Sequence, residues 1–183
     1  MGELKEIFFD LETKLWSTEV EGGFNNISAF GMSVAVTWND GDGFQTWLEN
    51  DANELVKELE QAEKVIGFNS VGFDYEVLRA YVPNVHGLLD GKSFDILTDI
   101  YKRLGFRVSL DNICISTLGK SKLAKAEDAI EWYRQGQIEK VVEYCQKDVE
   151  LTREIYRYGQ EHGFICYPQW EEPVELPVNW GEG

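Results

Sequence analysis

The 183-residue sequence has few cysteines and histidines, three and two respectively, and no CxxC pair. Cys114, Cys145 and Cys166 are odd in number and widely spaced, which argues against a disulfide framework and a zinc site and is typical of a reducing cytoplasm. No apolar run approaches the roughly 18 to 20 residues of a membrane helix. The N-terminus lacks the basic and long apolar regions of a targeting signal, and Glu6 breaks the myristoylation pattern. We therefore expect a cytoplasmic protein without membrane contact.

Positive charge is also scarce, with 17 basic against 33 acidic residues and a net charge of −16. Such a balance argues against tight binding of nucleic acid, which depends on neutralising phosphates. The segment 102–125 differs, because its six basic residues and one acid give it +5 and leave −21 for the rest of the chain. This strip could hold a short phosphate backbone, with Lys120 and Lys122 as substrate-binding candidates, or could be an ordinary solvated surface. Its basic residues are Lys102, Arg103, Arg107, Lys120, Lys122 and Lys125.

The order of apolar segments predicts one α/β domain. The stretches "LKEIFFDLET" and "KVIGFNS" are typical of buried strands, and two further strands flank the turn-rich Asn39–Gly43. Amphipathic helices account for most of the rest, including "SFDILTDIYKRLGF". This order predicts an antiparallel meander followed by parallel strands, over residues 1–163. Residues 164–183 hold three of the four prolines together with Trp170 and Trp180, and are expected to be an extended tail packed on the same domain.

Acidic residues follow two of the predicted strands. In "FFDLET", Asp10 and Glu12 project from one strand face roughly 6.5 to 7 Å apart, so their charges repel unless a cation lies between them. In "VIGFNSVGFD", the strand ends at Asn69 and Asp74 follows a glycine-bearing turn. Each pattern also has a structural explanation: a solvated strand end for the first pair, a turn residue for Asn69, and a helix N-terminal acid for Asp74.

One acid lies on the apolar face of a helix. In "VVEYCQKDVELTREIYRYG", Asp148 falls on the side that should be buried, and a lone carboxylate there costs several kcal/mol unless it is paired, neutralised or metal-bound. Tyr144 lies one turn earlier on the same face, where a core aromatic is equally expected. If Asp148 converges with the strand acids, hard carboxylate oxygens suit two divalent cations, Mg²⁺ or Mn²⁺, about 4 Å apart.

Three stretches in order, "FFDLET", "NSVGFD" and "YCQKD", resemble the three sequence blocks of the DEDD 3′–5′ exonuclease superfamily. The Y-x-x-x-D spacing is similar to that of its tyrosine (DEDDy) branch, since neither His86 nor His162 stands in the H-x-x-x-x-D position. The chain after the second block resembles predicted ribonuclease H-like exonuclease domains of bacteria and phages more than it resembles a polymerase. The resemblance implies a ribonuclease H-like α/β fold with a mixed five-stranded sheet flanked by helices.

The resemblance also implies roles for individual residues. Asp10 would bridge both ions, and Tyr144 would orient the attacking water. Asn69 would support the active site or the substrate, and the role of Asp95 stays open. Leu11 and Thr13 would contact the terminal nucleotide. The full set of implied metal ligands is Asp10, Glu12, Asp74 and Asp148.

The expected activity is metal-dependent removal of nucleotides from the 3′ end of single-stranded DNA or RNA, releasing 5′-monophosphates. The charge of −16 favours a short single-stranded end, or a substrate delivered by a protein partner, over a long duplex. Two alternatives remain: an endonuclease or resolvase of the same fold, and a non-catalytic binding module that retains it. Tyr144 argues against the first, and the intact acidic set argues against the second.

Overall fold

A computed structural model describes residues 5–121, 124–170 and 172–181. The main sheet consists of β1 (Glu6–Thr13), β2 (Met32–Asn39), β3 (Gly43–Leu48), β4 (Lys64–Gly67) and β5 (Ser93–Asp95), and a second sheet pairs β6 (Phe164–Gln169) with β7 (Glu172–Pro177). The α-helices found in these ranges are α1 (Ala52–Glu60), α2 (Tyr75–Leu78), α3 (Val85–Leu89), α4 (Ile96–Leu104), α5 (Leu110–Leu118), α6 (Ala126–Arg134) and α7 (Ile138–His162). Within these same ranges, no helix is both long and apolar enough to cross a membrane.

The main sheet is mixed, in the order β3-β2-β1-β4-β5. β1 pairs antiparallel with β2 and parallel with β4, while β2–β3 is antiparallel and β4–β5 is parallel. The predicted fold class, an antiparallel meander extended by parallel strands and flanked by helices, is confirmed. The fifth strand lies in Ser93–Asp95, where the sequence predicts the start of a helix. That prediction was wrong because three residues are too few to show a strand periodicity.

The alternation of β1 divides the interior into two hydrophobic cores. Ile7, Phe9 and Leu11 point into a core built with α1, α2 and α3. Phe8 points to the opposite face, into the core formed with α4, α5 and α7. Because side chains two residues apart in a strand share a face, Asp10 and Glu12 are directed toward α7 as well. The strand therefore delivers two carboxylates to the side of the sheet that α7 covers.

The predicted extended C-terminal segment forms the β6–β7 hairpin followed by Trp180. The hairpin is attached to α5, since the Thr117 hydroxyl donates to the Cys166 carbonyl at 3.0 Å and accepts from the Cys166 amide at 2.9 Å. Trp180 is buried, stacks on Tyr156 at 5.8 Å between ring centroids, and donates from Nε1 to Asp99 Oδ2 at 2.8 Å. These contacts hold the C-terminal segment against the same core as α7.

Trp180 occupies the space that a side chain at position 159 of α7 would fill. A Cβ added at Gly159 would lie 2.2 Å from Trp180 Cε3, so the ring would have to move. We expect Gly159→Ala to lower the free energy of unfolding by about 1–3 kcal/mol, as overpacking does. In a Trp180→Ala background the same change should be neutral or stabilising by up to about 1 kcal/mol, because alanine is the better helix former. Urea unfolding followed by circular dichroism measures both, and an equal cost in the two backgrounds would contradict the packing explanation.

Candidate active site

A cleft of about 490 Å³ opens where β1, the segment after β4, and α7 meet. Its size is that of a pocket for a small ligand. Six of the residues that the sequence singles out lie close together there with Leu11, although they are spread over 139 positions of the chain from Asp10 to Asp148. The lining residues are Asp10, Leu11, Glu12, Phe68, Asn69, Phe73, Asp74, Leu97, Arg107, Val108, Ser109, Leu110, Ala126, Tyr144 and Asp148.

The strand acids approach α7 closely. Oxygens of Asp10 and Glu12 and the sulfur of Cys145 lie within 4.8 Å of one another. The Cys145 thiol donates to the Asp10 carbonyl at 3.3 Å and contacts Asp10 Oδ2 at 3.6 Å. Glu12 is only 8% exposed, although it is a carboxylate. The strand face and the helix therefore form one compact group of ligand atoms.

Asp74 reaches the same cleft from the other side of β1. It ends a single π-helical turn, Ser70–Asp74, and its Oδ1 accepts the Leu11 amide at 3.0 Å. Its carboxyl is buried, and burial, followed by the charge of Asp10, raises its pKa well above the usual value. The ionised form of the Asp74 carboxyl is therefore disfavoured, first by burial and then by the charge of Asp10.

Tyr144 and Asp148 come from the buried face of α7, at 1% and 4% exposure. Tyr144 packs edge-on against Trp132 of α6, with 6.3 Å between ring centroids. Burial raises the pKa of the neighbouring Cys145 thiol, and the charges of Asp10, Glu12, Asp148 and Asp74 raise it further. All four carboxylates therefore lie near enough to the Cys145 sulfur to raise its pKa.

The segment after β4 is held by Asp95, whose role the sequence left open. Asp95 is buried, and its carboxylate accepts the amides of Asn69 at 2.9 Å, Val71 at 3.1 Å and Thr98 at 3.2 Å. It therefore caps α4 while fixing the π-helical turn that carries Asp74. Asp95 stabilises the shape of the site from outside the cleft lining.

Two of the predicted substrate residues, Thr13 and Lys120, do not line the cleft. Thr13 is buried beyond a register shift in β1, and its hydroxyl donates to the Leu15 carbonyl. Lys120 follows the C-terminal end of α5 and is paired with Glu154 at 2.8 Å. Lys122 lies outside the described residues.

Conversely, the structure places Arg107 and Cys145 at the site, and the sequence did not predict either of them as a site residue. Arg107 stood out only as part of the basic strip, and Cys145 only as the neighbour of Tyr144.

Comparison with known proteins gives a family match and structural relatives. The family model described as RNase_H_2, of the RNase_H superfamily, matches residues 7–160. The family B DNA polymerase of the hyperthermophilic archaeon Pyrobaculum calidifontis matches structurally with a TM-score of 0.62 and 12% identity over 86% of this chain. The match covers 25% of the polymerase, so the chain corresponds to about a quarter of that protein's length. No curated protein sequence matched.

The raised pKa of Asp74 predicts a pH-dependent stability in the absence of divalent cations. A carboxyl whose pKa is higher in the folded chain than in the unfolded chain stabilises the fold below the unfolded value, and this stabilisation is lost as pH rises through the folded pKa. We expect Asp74→Asn to remove this loss, because an amide can still accept the Leu11 N–H without carrying charge. In EDTA, the free energy of unfolding of Asp74→Asn should exceed that of the parent by more at pH 8 than at pH 5.

Urea unfolding at the two pH values tests this, with Glu143→Gln as a control at an exposed carboxylate outside the cleft. Each pKa unit between folded and unfolded chain corresponds to about 1.4 kcal/mol. A parent that is more stable than Asp74→Asn at pH 8 would show that the buried carboxylate is compensated within the protein.

Proposed function

This chain belongs to the RNase H superfamily, and we propose that it is a 3′–5′ exonuclease of the DEDD type, tyrosine branch. Its substrate would be the 3′ end of single-stranded DNA or RNA, and its products would be 5′-monophosphates. The observation that carries the proposal is the meeting of four carboxylates and a tyrosine in one cleft. They are Asp10, Glu12, Asp74, Asp148 and Tyr144.

The donor set fits divalent cations. Carboxylate oxygens are the ligands that Mg²⁺ and Mn²⁺ prefer, and two such ions would offset four ionised carboxylates. Burial and the charge of Asp10 raise the pKa of Asp74, and a cation beside this carboxyl would favour its ionised form. Asp10, Glu12, Asp74 and Asp148 would hold the ions. When bound, a pair of divalent cations stabilises charge on the attacking and leaving oxygens of a phosphodiester.

The residues of the chain supply orientation around that centre. Tyr144 lies one helical turn from Asp148, so its phenol can orient the attacking water beside the acidic group. Leu11 and Asn69 line the same cleft and would contact the terminal nucleotide. Leu11 is 4% exposed and its backbone amide is engaged by Asp74, so its contact would be limited to the small part of the residue that faces the cleft.

Cleft size and charge favour a short single-stranded end. A volume of about 490 Å³ is in the range of small-ligand pockets and far below the size of a duplex. The likeness to a DNA polymerase fold and the RNase H family match both support a nucleic acid as substrate. A resolvase would need a broad duplex-binding surface, and −16 of net charge disfavours one.

Asp148→Asn tests the acidic centre. We expect the rate of cleavage to fall by at least about 100-fold, because the variant removes one charge that would hold a cation at the reacting phosphate. The matched control is Glu143→Gln, an exposed carboxylate on the solvent side of the same helix. The assay follows 5′-labelled single-stranded DNA and RNA oligonucleotides on a gel with Mg²⁺ or Mn²⁺.

A metal-dependent ladder that shortens from the 3′ end in the parent and in Glu143→Gln, but not in Asp148→Asn, would support the exonuclease. Internal cuts would favour the endonuclease. No cleavage of either strand with either metal would favour a binding module or a partner-dependent enzyme.

Tyr144→Phe tests the orienting role of the phenol. We expect kcat to fall by about 100-fold, the cost of a misplaced nucleophile, with little change in the concentration of metal that gives half-maximal activity. Titrating Mn²⁺ at saturating oligonucleotide separates the two quantities. A variant as fast as the parent would remove the phenol from the mechanism, and a large shift in metal dependence would make it a part of the metal site.

A further inference from the structure

Arg107 is the only cationic side chain among the described residues that line the cleft. It follows α4 and precedes α5, in the exposed segment that forms one wall of the cleft. Its Nη2 donates to the side-chain oxygen of Asn69 at 2.8 Å. A guanidinium thus stands at a site otherwise dominated by carboxylates, and it is bonded to a neutral amide.

This pairing differs from that of the other arginines. Four of the other five form ion pairs with carboxylates, and Arg153 lies over the Trp38 ring with 4.0 Å from its guanidinium carbon to the ring centroid. The four ion-paired residues are Arg79, Arg103, Arg134 and Arg157. In the described part of the chain Arg107 has no ion pair, despite the excess of acids. Its positive charge is therefore available to a ligand, and the remaining N–H groups of its fork can donate to one.

Asn69 is fixed in the orientation that this contact needs. Its backbone is left-handed, with φ of 64°, a conformation that asparagine tolerates better than most residues. Its amide N–H is held by Asp95 at 2.9 Å. A Cβ at Gly72 would approach Asn69 Oδ1 to 3.2 Å, so the glycine leaves room for the side chain. The amide oxygen that accepts from Arg107 is therefore held in place before any ligand binds.

We propose that Arg107 binds a phosphate of the nucleic-acid strand in the cleft, and that Asn69 is the positioning residue for its guanidinium. This inference rests on the proposed function. With two divalent cations offsetting the four carboxylates, Arg107 would give the loaded cleft its net positive charge. A planar guanidinium matches the oxygens of a phosphate and can bind two of them at once.

The first test compares Arg107→Gln with Lys102→Gln. Both remove one positive charge from the same strip, but Lys102 lies on α4 outside the cleft lining. Binding of a fluorescent single-stranded oligonucleotide with phosphorothioate 3′ linkages is measured by anisotropy in Mg²⁺ at several salt concentrations. We expect Arg107→Gln to weaken binding about 10-fold or more at low salt. The slope of log affinity against log salt should become shallower by about 0.7, the value for one phosphate contact to a single strand.

Lys102→Gln should change neither the affinity nor the slope by a comparable amount. Arg107→Lys keeps the charge but loses the fork, so we expect it to restore the salt slope and only part of the affinity.

The second test distinguishes the contact of the Asn69 side chain with Arg107 from the effect of the left-handed backbone at this position. Asn69→Gly keeps the left-handed backbone and removes the amide, whereas Asn69→Ala also strains the backbone. In a cleavage assay, we expect Asn69→Gly to raise KM in the same direction as Arg107→Gln, with a smaller change and with kcat largely preserved. In an Arg107→Gln background, Asn69→Gly should have no further effect on KM.

Failure of this inference can be distinguished from failure of the proposed function. If the parent trims 3′ ends and Arg107→Gln binds and cleaves like the parent, the phosphate contact is overturned while the exonuclease stands. If the parent binds the oligonucleotide without cleaving it and Arg107→Gln weakens that binding, the contact stands and the nuclease does not. A parent that binds no oligonucleotide in Mg²⁺ overturns both.

Discussion

Buried carboxylates of like charge cannot all remain ionised without a counter-charge, and this constraint shapes the whole site. At about 4 Å and an effective dielectric constant near 20, two such charges repel by about 4 kcal/mol. The protein offsets part of this with a backbone amide, as Leu11 does for Asp74. Burial and the charge of Asp10 nevertheless hold the pKa of Asp74 above its usual value. A divalent cation, as proposed for this site, would supply the counter-charge that these carboxylates need.

Such a cluster can exist because the hydrophobic cores hold its members in place. The two cores lie on opposite faces of β1, so the strand is fixed on both sides while Asp10 and Glu12 emerge toward α7. The helix is anchored by Tyr156 and by the stacked Trp180, more than two turns beyond Asp148. Packing outside the cleft therefore offsets the unfavourable free energy of holding the carboxylates close together. Asp95 extends the same arrangement by tying the turn before Asp74 to the start of α4.

Periodicity predicted the parts of this site that are local in sequence. The alternation in "FFDLET" placed two acids on one strand face, and the helical pattern around Asp148 showed a carboxylate on the buried side. The contacts that bring the strand and the helix together could not be predicted from periodicity, because they join residues far apart in the sequence. Cys145 lies 135 positions from Asp10, and Arg107 lies 38 positions from Asn69. The left-handed backbone of Asn69 and the three-residue β5 leave no periodic signal either.

The distribution of charge bears on how much of a nucleic-acid strand such a cleft would bind. Electrostatic effects beyond about 8 Å are largely screened at physiological salt, so each phosphate responds mainly to its immediate surroundings. In a cleft that holds two divalent cations, those surroundings would favour binding of a phosphate. Outside it, the surface belongs to a chain of net charge −16, most of whose arginines are already paired with carboxylates. Affinity would therefore come from the nucleotides at the 3′ end, and the rest of the strand would add little. Under the proposed exonuclease function, this distribution of charge favours binding of a strand end over binding of a length of strand, and a partner that holds the remaining nucleotides would supply the affinity that the surface lacks.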